Sequence, residues 1–156
     1  MQKNSAKYTV QLVQVPVLLK LIPWSRKHLK KIPALISTWR DAVVAELAGA
    51  TTAIPPEPAD WTRPAEIEVS GKYDRQLNEF LADPNSESLT IPAAEHMRQQ
   101  IIDTAARYRC DLSHRVERTG SPHRLVLTKT TESWKRAVRQ YKTDVSLLEK
   151  LTPLNR

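Results

Sequence analysis

One cysteine, Cys110, is all the thiol this chain has. That excludes an internal disulfide framework, and neither a cysteine-rich zinc site nor an iron–sulfur cluster can be built from it. A reducing intracellular compartment is the expectation. The four histidines, His28, His96, His114 and His123, show no HxxxH or HExxH spacing, so no metal site is expected. Three glycines form neither GxGxxG nor GxxxxGK[ST], which leaves no nucleotide-phosphate cradle. Asp111, Ser113 and His114 fall within four consecutive residues, whereas a triad needs side chains converging from separate elements. No catalytic spacing remains, so no enzyme activity, cofactor or small-molecule substrate is expected. The longest apolar run, "VPVLLKLIP", contains a lysine and two prolines and falls far short of the ~20 residues of a membrane span.

Acid is missing too, but only locally. Residues 1–40 hold eight Lys/Arg and no Asp or Glu. Residues 41–100 carry eleven acids and four bases, and residues 101–156 twelve bases and six acids. Two basic ends therefore flank an acidic middle within a formal net charge of +7. Such a distribution suits a polyanion or a protein with acidic patches. The acid-free start also fits a mitochondrial presequence, although it is poor in arginine and serine, and Pro16 and Pro23 interrupt an amphipathic helix. Nucleus or cytoplasm is favoured, with the mitochondrion left open. Residues 1–31 are equally suited to lie along RNA or a partner protein subunit, and "TVQLVQV" (9–15) reads as a strand or arm able to join a partner's sheet. Trp24, beside Ser25, Arg26 and Lys27, is placed to stack or dock if exposed.

What is present is an ordinary globular composition, 40% hydrophobic and 26% charged. Residues 33–49 read as a helix, with Pro33 in its first turn, Leu35, Trp39, Val43 and Leu47 at helical spacing, and Gly49 at its end. Residues 50–64 carry four prolines and read as a linker or wrapping segment. "AEIEVS" (65–70) alternates as a strand. Residues 73–83 place Tyr73, Leu77, Phe80 and Leu81 on one helical face, and a long helix begins near Pro92 with Ala94, Met97, Ile101, Ala105 and Tyr108 as its core stripe. "DLSHRVE" and "HRLVLTKT", joined by "RTGSP", read as a hairpin. Residues 132–151 are a helix with Trp134, Val138, Tyr141, Val145 and Leu148 in a stripe. The expected fold is α+β: a β-α-α-β-β core whose small antiparallel sheet is covered by helices. Its expected parts are a basic N-terminal arm and helix (1–49), a Pro-rich linker (50–64), the core (65–130) and a C-terminal helix packed on that core (131–156).

Within that core, Arg98, Ala105 and the segment Pro122, Arg124, Val126 and Lys129 follow a recognisable pattern. An arginine is followed seven residues on by an alanine, then by a hydrophobic segment and a P-x-R-x-V strand with a basic end. This resembles the R-x-x-x-H domain, a module that binds single-stranded nucleic acid, over roughly residues 65–130. The signature histidine, four residues after the arginine, is here Ile102. The i, i+4 spacing sets Arg98 and Ile102 on one helix face. Isoleucine donates no hydrogen bond; it offers an apolar platform or a protein interface.

Alternation sets Arg115 and Arg124 opposite Leu112, Val116, Leu125 and Leu127, while His114 falls among the core positions. The expected nucleic-acid surface comprises Arg98, Arg115, Arg118, Arg124 and Lys129, with His123 assisting and Lys135 and Arg139 extending the track. The leading expectation is non-enzymatic binding of single-stranded RNA or DNA within a larger ribonucleoprotein or transcription complex. The alternative is a structural or adaptor subunit whose Ile102 face and N-terminal arm dock a protein partner. Cys110 is expected to be buried filler.

Overall fold

A computed structural model describes residues 10–64 and 66–155; residues 1–9 of the expected arm and Ala65 of the expected strand lie outside them. The protein is α+β, with five α-helices and one three-stranded antiparallel sheet among the described residues. Two compact units form: one from the residues up to Pro55 together with those from Arg136 onward, the other from Pro56–Lys135.

The first unit is helical. Helix α1 (Val15–Leu29) follows a π-helical stretch, Val10–Gln14, where a strand or arm is expected from the sequence. Both prolines are accommodated. Pro16 lies in the first turn, where a missing N–H costs nothing, and Pro23 sits inside the helix with its ring exposed. The burial of Val15, Leu18 and Ile22 outweighs the backbone bond that Pro23 forfeits. Lys30 ends the helix in the left-handed region at φ 56°. Helix α2 (Ala34–Ala50) adds Val43 and Leu47 to the same core.

The C-terminal helix α5 (Glu132–Leu151), expected as a whole on the sheet core, divides between the two units, with Glu132–Lys135 in the second. From Arg136 onward it belongs to the helical unit, because Leu147, Leu148 and Leu151 continue its apolar stripe into the core of α1 and α2. Polar ties fasten this unit. The Gln11 side-chain amide donates to buried Asp144, Trp39 Nε1 donates to Gln14 Oε1 at 2.9 Å, and Arg40 Nη1 donates to Leu154 O at 3.3 Å.

The second unit orders its elements as α3 (Lys72–Ala82), β1 (Ser88–Pro92), α4 (Glu95–Arg107), β2 (Leu112–Glu117) and β3 (Arg124–Lys129). The strands run β1-β3-β2, with β3 central. The first strand is therefore 88–92, not 65–70. Residues 66–70 form no strand but bury Ile67, and the Asn78 side-chain amide takes the place of a neighbouring strand: Ile67 N donates to Asn78 Oδ1 at 3.3 Å, and Asn78 Nδ2 donates to Ile67 O at 2.8 Å. Pro92 closes β1 opposite Arg124 rather than opening α4.

The Pro-rich segment also belongs to this unit from Pro56 and wraps it. Trp61 N donates to Pro84 O at 3.1 Å, Arg63 N donates to Leu81 O at 2.7 Å, and Arg63 Nε donates to Thr130 O at 2.6 Å. Ile91, Leu125 and Leu127 on one sheet face pack with Leu77, Phe80 and Leu81 of α3 and Ile101 of α4. No helix among the described residues is long and apolar enough to cross a membrane.

Candidate nucleic-acid interface

Helix α4 begins at Glu95, one turn before Arg98, so both side chains rise near its N-terminus. Arg98 is buried, and its Nη1 donates to Ala93 O at 2.6 Å. Ala93 N in turn donates to His123 O at 3.2 Å. One guanidinium thus ties the β1–α4 connection, which is itself tied to the base of the β2–β3 hairpin. The hairpin loop turns at Gly120 with φ 84°, and His123 Nδ1 lies 3.1 Å from Gly120 O.

Between α4 and the hairpin lies a cleft of about 310 Å³. Helix α4 contributes Glu95, Arg98, Gln99 and Ile102; the hairpin contributes Val116, Arg118 and His123. Ile102 is half-buried and packs partly on the sheet core. Val116 is 41% exposed although it sits opposite fully buried Leu125. β2 is an edge strand, so its core-facing side chains near the hairpin end lack a covering neighbour. The same position leaves His114 exposed, against the expectation of a partly buried core histidine. Two arginines line the cleft, and among the described residues Glu95 is its one carboxylate. Among the described residues neither Arg98 nor Arg118 carries an ion pair.

The expected surface is divided by the sheet. Arg115 and Arg124 do project together, but from the face opposite the buried Leu125 and Leu127. Arg115 Nη2 pairs with Glu117 Oε1 at 2.9 Å on that face, and the register sets Glu117 directly against Arg124. An exposed pair of this kind contributes ~1 kcal/mol at most and leaves Arg115 free to exchange partners.

Lys129 does not belong to any ligand surface. It is 3% exposed, its Nζ donates to Asp83 O at 2.6 Å, and it lies 4.5 Å from the centre of the Phe80 ring. Burial lowers its pKa, and strand parity explains the placement, since Leu125, Leu127 and Lys129 share the core face. Lys135 is exposed and pairs with Glu132 at 2.9 Å. Arg139 is exposed but belongs to the helical unit. Of the eight expected residues, the cleft unites Arg98, Arg118 and His123.

Gln99 and Glu95 are cleft residues that the sequence pattern did not single out, and Val116 is one it assigned to the core. Gln99 follows Arg98 directly, Glu95 precedes Gln99 by one helical turn, and Val116 faces the cleft because β2 is an edge. Cys110 is half-buried, and desolvation raises its thiol pKa, so the thiolate is disfavoured. Comparisons of the chain with protein-family models, with curated proteins and with solved structures find no match.

Proposed function

We propose that the protein binds single-stranded nucleic acid, RNA or DNA, without catalysis, through the cleft between α4 and the β2–β3 hairpin. One observation carries this reading: Arg98, Arg118 and His123, from two different elements, line a single cleft in which neither arginine is ion-paired among the described residues. Guanidinium groups bind phosphate through charge and a fixed fork of donors. Ile102 and Val116 offer an apolar floor against which a base can lie, without the hydrogen bond that a histidine at 102 would donate. The resemblance of residues 65–130 to the R-x-x-x-H domain supports the same reading. Arg115 and Arg124, on the other side of the hairpin, supply further phosphate contacts to a strand that wraps its open edge. An adaptor role draws its support from the helical unit rather than from Ile102, which is half-buried.

The test is an anisotropy titration with labelled U12 RNA and T12 DNA at 50 and 200 mM salt. Two or three phosphate contacts predict roughly a tenfold loss of affinity over that range, from a single-strand slope of about −0.7 per contact. The double variant Arg118→Glu/His123→Ala is expected to weaken binding by a further factor of ~10 or more. Failure to bind either oligonucleotide at 50 mM salt, or a double variant that binds as well as wild type, overturns the reading.

A further inference from the structure

Ten large hydrophobic side chains stay exposed among the described residues, and six of them lie between Leu12 and Leu35. That interval falls inside the stretch without a single acid. Helix α1 is the source of the coincidence, because it is apolar on two faces. Val15, Leu18 and Ile22 enter the core of the helical unit. Val13, just ahead of the helix, and Val17, Leu21 and Trp24 succeed one another at four- and three-residue steps along the outer side. An open groove of about 300 Å³ is lined by Val17, Lys20, Leu21 and Trp24. The Trp24 ring lies 5.0 Å from that of His28, which carries the stripe one turn further. Lys20 and Lys27 are seven residues apart and flank one edge of the stripe. They hold the place that charged residues take beside a helix–helix seam, where they select partners of opposite sign.

The candidate occupants separate by charge and shape. Residues 1–9 carry Lys3 and Lys7 and no acid, so the chain's own start brings no complementary charge. A second copy paired about a two-fold axis sets this positive face against itself. A helix that lies in a lipid surface keeps its charged face opposite its apolar one, whereas the opposite face of α1 is the protein's own core. We propose that α1 docks an acidic amphipathic helix of a partner protein. Its apolar seam lies along Val13, Val17, Leu21 and Trp24, and its Glu or Asp side chains meet Lys20 and Lys27.

The probe is a fluorescein-labelled 21-residue helical peptide with Leu at the seam positions and Glu flanking them, titrated with the full chain. A matched peptide with Lys in place of Glu, and vesicles of phosphatidylserine and phosphatidylcholine, are the competitors. The Glu peptide is expected to bind and the Lys peptide not. Trp24→Ala is expected to weaken binding at least tenfold. The exposed pair Lys20→Glu/Lys27→Glu is expected to transfer binding to the Lys peptide while the melting temperature holds, which separates recognition from misfolding. Equal binding of both peptides, no binding of the Glu peptide, or indifference to the charge reversal overturns the proposal. Vesicle binding lost in Trp24→Ala, without peptide binding, assigns the stripe to membranes and equally overturns it.

Discussion

At the scale of single residues, the same residue type takes opposite roles according to where its charge ends. Lys129 is a core residue: its ammonium lies over the Phe80 ring and donates to the Asp83 carbonyl. Lys129→Ala leaves that carbonyl without its donor and removes packed methylenes. It is expected to cost about 2 kcal/mol in chemical denaturation while oligonucleotide affinity at low temperature is unchanged. Arg118 is the converse, an exposed cleft arginine; Arg118→Glu is expected to lower oligonucleotide affinity and leave the melting temperature unchanged. Asp74 is a buried carboxylate near the start of α3. It accepts from Ser70 Oγ at 2.6 Å and from Ser70 N at 3.0 Å, and the hydroxyl contact is the largest cause of its lowered pKa. A carboxyl whose folded pKa is depressed stabilises the fold above its unfolded value of about 4, and this is lost as pH falls through the lower folded value. Asp74→Asn is therefore expected to lose about 1 kcal/mol at pH 7, a difference that shrinks as pH falls below about 4. Denaturant midpoints across that range check it.

At the scale of elements, the C-terminus of α4 is held in a Schellman arrangement. Arg109 N donates to Ala106 O at 3.1 Å, and Cys110 N donates to Ala105 O at 2.9 Å. Arg109 occupies the left-handed position at φ 51°, where a Cβ is strained. Arg109→Gly is expected to gain about 1 kcal/mol, read as a raised melting temperature. Helices α2 to α5 were legible in the chain because their apolar residues recur at helical spacing, and the hairpin because "RTGSP" interrupts two alternating runs. Helix α1 was not: Pro16 and Pro23 read as interruptions, whereas one lies in the first turn and the other turns its ring outward. The parity that brings Arg115 and Arg124 together was legible for the same reason, and it also assigns Lys129 to the core side, against the pull of its charge. The first strand was hidden: "SLTIP" is short, ends in proline and follows a polar loop. Residues 66–70 carry the alternation of a strand, yet their backbone partner is the side chain of Asn78, a tertiary contact that no local pattern encodes. The cleft was half legible. Arg98 stood out by its spacing from Ile102 and Ala105 on one helix, whereas the exposure of Val116 depends on β2 being an edge strand.

At the scale of the whole molecule, two cores are built from unequal pieces of sequence. The sheet core draws all its buried residues from between Ile67 and Leu127, one uninterrupted stretch. The helical core draws Val15, Leu18, Ile22, Val43 and Leu47 from early in the chain and Leu151 from near its end. A fragment of residues 56–135 is accordingly expected to unfold cooperatively by circular dichroism and to keep the oligonucleotide affinity of the full chain. Residues 10–55 alone are expected to show no cooperative melt until a peptide of residues 136–156 is added. The interleaving also dictates an order of assembly on the ribosome. The central unit is complete once Lys135 has emerged, but α1 and α2 wait with their inner leucines and valines bare until Leu151 is synthesised. Translation that stalls or stops early thus releases a chain with a finished middle and sticky, uncovered helices ahead of it, a substrate for chaperones rather than a half-working protein.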